Sequence, residues 1–181
     1  MGNATAPNQA NLKLRDARVE ELDAVLRVTL SAYQQYAATM GEEHWHGYRQ
    51  NIVSTIRSDR QAQRIVAEQD GVIVGGVVLY QEGTTYETTD GADIRRERPE
   101  MRLLAVDPAA RGRGIGRALV DECIRRARRA GAHSLALHTT AMMAAAVRLY
   151  ERMGFRRASE MDFHPAPGVV VMGYVLSLRE E

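Results

Sequence analysis

The sequence holds little of what membrane-spanning, disulfide-linked or strongly charged proteins need. Its 181 residues include one cysteine, and the formal net charge is only +1. A single cysteine, Cys123, excludes an internal disulfide and is typical of a reducing compartment. No apolar run reaches the roughly 20 residues of a bilayer-spanning helix, and the first residues lack the apolar core of a signal peptide. We therefore expect a soluble, cytoplasmic protein without a membrane partner.

The basic residues are concentrated rather than abundant. One loop and the helix after it contain Arg111, Arg113, Arg117, Arg125, Arg126, Arg128 and Arg129. The last four are typical of a solvated helix face, whereas the first three flank glycines, a position that favours phosphate contact. A near-neutral chain without an aromatic platform is a poor nucleic-acid binder, so we expect no nucleic-acid partner.

Hydrophobic periodicity predicts one mixed α/β (α+β) domain over 12–181, after a flexible tail over 1–11. Apolar alternation and short apolar runs predict strands at Leu12–Arg18, Arg64–Glu68, Val72–Tyr80, Met101–Val106, Ser134–His138, Phe155–Asp162 and Val169–Leu178. Helical spacing predicts helices at Val19–Thr39, Trp45–Ile56, Gly114–Ala130 and Ala144–Met153. Asp70-Gly71 predicts a tight hairpin, and the polar run Gln81–Pro99 predicts an irregular excursion.

A glycine-rich turn between a strand and a helix is the most informative local feature. The strand ends at Asp107-Pro108, and Gly112, Gly114 and Gly116 follow directly before the helix. Backbone N–H groups at such a helix N-terminus favour phosphate. A dinucleotide fingerprint fails because its third glycine would be Arg117, and no Walker Lys-Ser/Thr is present. The pattern that fits is Arg-x-x-Gly-x-Gly, which points to a pyrophosphate-bearing cofactor.

A second motif lies one helix and one strand further on. The segment 146–155 reads Ala-x-x-Leu-Tyr-Glu-x-x-Gly-Phe. With both motifs in this order, the chain resembles the GNAT superfamily of N-acetyltransferases. The resemblance implies a central, mostly antiparallel twisted sheet flanked by helices and splayed between the strands ending at Val106 and His138.

The resemblance also implies acetyl-CoA as cosubstrate, with no metal. The cofactor-binding residues that it implies are Leu104, Ala105, Val106, Arg111, Gly112, Arg113, Gly114, Ile115, Gly116, Arg117 and Met143. Val106 N–H would polarise the acetyl carbonyl. Many relatives carry an asparagine at the position of Met143, so we expect apolar or backbone contact with the cofactor there.

Family position makes Tyr150 the expected general acid, which protonates the departing thiolate. The general base is open between Glu100, at the start of the cofactor strand, and His138, whose ordinary pKa lies near neutrality. An amine that binds already neutral needs no base. Cys123 falls on the apolar face of its helix, so we expect direct transfer without a covalent enzyme intermediate.

The acceptor is expected to be a primary amine, in a small molecule or a peptide. Aromatic residues with nearby carboxylates would suit a cationic amine; they are Tyr33, Tyr36, His44, Trp45, His46, Tyr48, Glu82, Glu87, Asp90, Asp93, Phe163 and His164. The alternative reading is a catalytically silent acyl-CoA-binding module that senses cofactor or regulates a partner. The resemblance is also compatible with a homodimer.

Overall fold

The computed structural model describes residues 11–87, 91–166 and 168–179. Residues 1–10 of the expected tail, and Asp90, lie outside these ranges. The strands are β1 Leu12–Asp16, β2 Gln63–Gln69, β3 Val72–Tyr80, β4 Thr85–Glu87, β5 Asp93–Arg95, β6 Glu100–Val106, β7 Ser134–Thr139, β8 Arg156–Arg157, β9 Phe163–Ala166 and β10 Val169–Ser177. The helices are α1 Leu22–Tyr33, α2 Ala37–Met40, α3 Glu42–Arg57, α4 Ile115–Arg129 and α5 Ala144–Arg152.

Within the described residues, a central sheet runs in the order β1-β2-β3-β6-β7-β10-β8, with β9 added against β10. The β6–β7 pair is parallel, and the other pairs of this sheet are antiparallel. Strands β4 and β5 form a separate hairpin. This is the predicted mixed α/β architecture with a mostly antiparallel sheet. None of the described helices combines the length and apolarity needed to cross a bilayer.

The sheet opens between β6 and β7. Their parallel pairing covers Glu100 with Ala136 and Met101 with Leu137, and it goes no further. Just beyond, Leu103 has φ +53°, and the β3–β6 register shifts between Gly76 and Val78. This β-bulge re-aims one strand and ends its pairing with the next. The splay predicted between the strands ending at Val106 and His138 is confirmed.

Two hydrophobic cores cover the two faces of the sheet. One contains the apolar face of α4, where Ile115, Leu119, Cys123 and Ala127 are at most 3% exposed. The four-residue spacing of these side chains predicts one buried face of the helix, and the structure confirms it. The second core joins α1 and α3 to β2, β3 and β6. Strand β6 therefore lies between both cores.

Three element predictions need correction. The helix predicted at Val19–Thr39 is interrupted, because α1 ends at Tyr33 and a 3-10 turn, Gln34–Tyr36, precedes α2. The strand predicted at Phe155–Asp162 is wrong, because only Arg156–Arg157 pairs with β10 before a 3-10 turn over 159–161. The stretch Gln81–Pro99 contains the β4–β5 hairpin rather than being wholly irregular. Tertiary pairing decided these cases, and local periodicity does not report it.

Candidate active site

The N-terminus of α4 has the geometry that suits an anion. Gly114, the residue before α4, has φ +78°, a left-handed conformation that favours glycine. The first bond into the helix runs from Ala118 N–H to the Gly114 carbonyl, at 3.0 Å. The N–H groups of residues 115–117 therefore have no helical acceptor. Together with the positive end of the helix dipole, they form an anion site.

The three loop arginines differ in their surroundings. Arg111 donates to the Ala32 carbonyl at 3.1 Å and so ties the loop to the end of α1. Arg117 Nε lies 3.6 Å from Asp121 Oδ2, one turn further along α4. Arg111 and Arg117 both line the large cavity described next, whereas Arg113 does not and donates to the Ala109 carbonyl. Phosphate contact by Arg113 stays a prediction.

One continuous cavity of about 2060 Å³ begins at this loop and extends over β6 to the helices α1–α3. The predicted cofactor residues that line it are Leu104, Val106, Arg111, Gly112, Gly114, Ile115, Gly116, Arg117 and Met143. Ala105 is not among the lining residues, because its side chain is buried in the α1–α3 core. The cavity also reaches Tyr150, Glu100 and His138.

The splayed edge of β6 offers backbone donors to this cavity. Asp107 N–H bonds the Val74 carbonyl of β3 at 2.8 Å. Because backbone groups alternate in direction along a strand, the N–H groups of Leu104 and Val106 face away from β3, toward the opening. An extended ligand can bond to such an edge as an added strand would.

Two hydroxyls at the end of β7 were missed by the sequence reasoning. Thr139 Oγ1 and Thr140 Oγ1 are buried and have no hydrogen-bond partner among the described residues. Both residues line the cavity beside the opening. A buried hydroxyl without a partner costs about 1–3 kcal/mol, so a ligand with amide groups fits here. Between β7 and α5, the only cofactor contact predicted from the sequence is Met143, which packs in the α1–α3 core.

Tyr150 lies in the cavity wall on α5. Its side chain is 6% exposed, and its ring centroid lies 5.8 Å from that of Phe155. Burial raises the pKa of Tyr150 well above its usual range, so its hydroxyl keeps its proton at neutral pH. Burial also raises the pKa of Cys123 to about 12, which leaves a neutral thiol that is a poor nucleophile.

The two candidate bases contact each other. His138 Nδ1 lies 3.0 Å from Glu100 Oε1, and His138 Nε2 lies 3.0 Å from the Met161 carbonyl oxygen. Burial opposes charge on both side chains. Their mutual hydrogen bond and the attraction between their opposite charges outweigh it, with contributions from Arg102 and Arg96 at Glu100 and from the Met161 carbonyl at His138. The pKa of Glu100 is thus lowered and the pKa of His138 is raised. Below the raised pKa of His138, the pair is therefore a carboxylate and an imidazolium.

Arg96 fixes the other oxygen of Glu100. Its Nε donates to Glu100 Oε2 at 3.0 Å, and its guanidinium carbon lies 4.1 Å from the Tyr80 ring centroid and 4.7 Å from that of Tyr86. A further bond reaches the Thr85 carbonyl at 3.3 Å. Arg96 therefore connects the β4–β5 hairpin to the floor of the cavity, a role that the sequence did not signal.

The predicted acceptor residues divide into two groups. Those that line the cavity are Tyr33, Tyr36, His44, Tyr48, Glu87, Phe163 and His164. Trp45, His46, Glu82 and Asp93 do not line it, and Asp90 falls outside the described residues. Within the described ranges, no group of three or more His, Cys, Asp or Glu side chains could hold a metal ion. That the reaction uses no metal stays a prediction.

Comparison with curated proteins finds relatives that are named as acetyltransferases or as N-acetylaspartate synthetases. The chain is similar to Mycothiol acetyltransferase of Amycolatopsis mediterranei, with 29% identity over 143 residues, 76% of this chain and 44% of that protein. It is also similar to N-acetylaspartate synthetase of Danio rerio, with 40% identity over 70 residues, 39% of this chain and 25% of that protein. The chain thus spans less than half the length of these curated relatives.

Solved structures share the fold. PaiA N-acetyltransferase of Thermoplasma acidophilum, in complex with coenzyme A, has a TM-score of 0.67 at 16% identity, over 91% of this chain and 98% of that one. An acetyltransferase of the GNAT family from Staphylococcus aureus has a TM-score of 0.67 at 18% identity, over 93% and 100% of the two chains.

The family assignment rests on the sequence profile. The profile of the Acetyltransferase (GNAT) family matches residues 23–155. That range contains the glycine loop and the second motif, from which the resemblance was inferred. Since the match spans well over half of the chain, the protein belongs to the GNAT family of acetyltransferases.

Proposed function

We propose that the protein transfers the acetyl group of acetyl-CoA directly to a primary amine. The observation that carries this proposal is the continuity of one cavity. It joins the anion site at α4, the opening between β6 and β7, and Tyr150. Family membership supports acetyl transfer as the reaction type.

The residues fit each part of acetyl-CoA. The pyrophosphate would lie at the N–H groups of residues 115–117, with Arg111 beside it. The pantetheine arm would bond the free edge of β6 at Leu104 and Val106, and the unpartnered hydroxyls of Thr139 and Thr140 suit its amides. Bound in this way, acetyl-CoA supplies an activated thioester.

The chain's own groups would then handle charge and protons. Val106 N–H donates to the acetyl oxygen as negative charge develops there, an effect of about 2–4 kcal/mol in other acyl transfers. The amine nitrogen bonds to the acetyl carbon while the carbon–sulfur bond breaks. Tyr150 gives its proton to the departing sulfur and regains one as the nitrogen loses its own. No metal or covalent enzyme intermediate is needed.

The amine is expected to enter as the neutral base. Glu100 is a weak base because its pKa is lowered, and both ring nitrogens of His138 already have partners. Neither group is therefore free to take a proton in this arrangement. Exposed carboxylates at the cavity, Glu43, Glu87 and Glu160, would attract an ammonium group before it loses its proton to water.

Tyr150→Phe tests the proposal. We expect turnover to fall by about 10²–10⁴-fold, the usual contribution of a general acid, with acetyl-CoA affinity changed little. Turnover is measured by thiol release from acetyl-CoA across polyamines, amino acids, aminoglycosides, arylamines and short peptides. Affinity is measured by calorimetry.

Tyr174→Phe is the matched control, because Tyr174 is also buried in the α4 core but does not line the cavity. It should retain turnover. Equal turnover in Tyr150→Phe would remove Tyr150 from the mechanism. Acetyl-CoA binding by the wild type without thiol release from any amine would favour the silent sensor module instead.

A further inference from the structure

An arginine with no ionic partner among the described residues lines the part of the cavity next to α3, which we call the acceptor side. Arg102, on β6, is half-buried and lines the cavity. Its side chain donates to Asn51 Oδ1 of α3 at 3.4 Å, a long bond. Among the described residues, no carboxylate lies within ion-pair distance of its guanidinium. A partly desolvated charge of this kind is costly unless it is paired.

The carboxylates nearby are already engaged. Glu100 is bound by Arg96 and His138. Asp59 accepts a hydrogen bond from the Tyr80 hydroxyl at 2.6 Å. The other carboxylates that line the cavity belong to the exposed residues Glu43, Glu87 and Glu160, where solvent screens their charge. The Arg102 charge helps to lower the pKa of Glu100, but both oxygens of that carboxylate are already bound by other cations, so among the described residues Arg102 has no ion-pair partner of its own.

The β-bulge explains why Arg102 faces this way. Met101 packs in the α4 core, whereas Leu103 packs in the α1–α3 core. Arg102, which lies between them, bonds to α3, so two consecutive residues project to the α1–α3 face. A regular strand continued back from Ala105 and Leu103, which both pack in the α1–α3 core, would have sent Arg102 to the opposite side. The bulge thus adds Arg102 to the acceptor side without removing a core residue from it.

Two further donors converge on the same place. Tyr48 and Asn51 are three residues apart on α3, so they share one helix face, and both line the cavity. Burial raises the pKa of Tyr33 and Tyr48, and the charge of Arg102 opposes the rise in both, as expected for a guanidinium beside these phenols. A guanidinium fork with a phenol and an amide is suited to a carboxylate.

We propose that Arg102, with Tyr48 and Asn51, forms a carboxylate subsite, so that the amine acceptor also carries a carboxylate, as amino acids and peptide C-termini do. This inference rests on the proposed acetyl transfer, because it names the class of that acceptor. The exposed carboxylates draw in the ammonium end, and Arg102 orients the opposite end of the same molecule.

The test uses matched pairs of ligands and does not depend on turnover. Affinities for CoA-loaded protein are measured by calorimetry with the standard L-amino acids and their carboxamides, and with dipeptides whose C-terminus is free or amidated. At least one free acid should bind tenfold or more tightly than its own amide. A preference among the amino acids identifies a free amino acid as the acceptor, and a preference among the dipeptides identifies a peptide C-terminus.

Variants assign the preference to Arg102. Arg102→Gln should lower the affinity for the acid to that for its amide, and Arg102→Lys should retain part of the preference, since it keeps the charge but not the fork. Arg49→Gln, on an exposed position of the same helix as Tyr48, is the control and should retain all of it. Acetyl-CoA affinity should be equal in all four proteins.

Three results would overturn the inference: no acid binds the CoA-loaded protein, each amide binds as tightly as its acid, or Arg102→Gln retains the preference. Failure of the proposed function looks different. It would appear as an absence of acetyl-CoA binding, or as thiol release that does not rise above hydrolysis with any amine, both measured on the wild type.

Discussion

Both ring nitrogens of His138 face oxygen atoms, and this fixes where its protons are. The Met161 carbonyl can only accept, so Nε2 must carry a hydrogen. The 3.0 Å contact between Nδ1 and Glu100 Oε1 then needs one more proton, which lies on either partner. The raised pKa of His138 and the lowered pKa of Glu100 assign that proton to the imidazole. At the residue scale, two rival bases form one ion pair.

Glu100→Gln should lower the pKa of His138, because the amide no longer stabilises the imidazolium. The titration of His138 followed by NMR checks this directly. Glu97→Gln, in the same segment but highly exposed, should leave the titration of His138 unchanged. An unaltered titration in Glu100→Gln would contradict the ion pair.

The same pair makes a pH-dependent contribution to stability. The raised pKa of His138 stabilises the fold fully below the unfolded value of 6.5, and this is lost as pH rises through the folded pKa. The lowered pKa of Glu100 stabilises the fold fully above 4.5, and this is lost as pH falls through its folded pKa. The stability difference between wild type and Glu100→Gln should therefore be largest between these values and smaller on either side.

At the scale of elements, one glycine allows β10 and the turn over 159–161 to pack together. A Cβ on Gly173 would overlap Met161 Cβ and lie 2.9 Å from the Ala158 carbonyl oxygen. The same turn presents the Met161 carbonyl to His138. The close approach of β10 thus supports the Glu100–His138 pair from behind.

Gly173→Ala should destabilise the protein by about 1–3 kcal/mol through overpacking. Gly76→Ala, within β3, is the matched control, because its Cβ would make ordinary contacts at 3.4 and 3.8 Å. Urea unfolding of both variants measures the difference. If the two lost equal stability, close packing at Gly173 would not be the cause.

At the scale of the whole molecule, the proposed cofactor site joins both cores. The α4 N-terminus belongs to one core, Arg111 reaches α1 of the other, and β6 lies between them. A ligand that fills the opening replaces the strand pairing that β6 and β7 lack. Binding should therefore stabilise the fold as a unit rather than a single loop.

Acetyl-CoA should raise the thermal midpoint, with about 2.7 kcal/mol of added stability at 100 times its dissociation constant. Gly114→Ala should reduce that gain, because its left-handed φ is strained for alanine. Gly131→Ala is the control: it has φ +79° and equally open surroundings, but it lies past the other end of α4. Calorimetric melting with and without acetyl-CoA measures the rise in thermal midpoint for each variant. If acetyl-CoA stabilised Gly114→Ala and Gly131→Ala equally, the cofactor site would lie elsewhere.

Local patterns of the sequence predicted what local physics controls. The spacing of Ile115, Leu119, Cys123 and Ala127 predicted the buried face of α4, which is confirmed. Asp70-Gly71 predicted a tight hairpin, and both residues have positive φ between paired Gln69 and Val72. In such cases the neighbours along the chain supply the determining interactions, so the sequence is sufficient.

The sequence by itself thus determined the family, the core-facing positions and the glycine loop, because periodicity and turn chemistry act over a few residues. Only the tertiary structure decided that Glu100 and His138, 38 residues apart, bond to each other. It also decided that a bulge at Leu103 turns Arg102 toward α3. These outcomes depend on strand register and on which elements pack together, since a one-residue shift in register moves a side chain to the other face of the sheet.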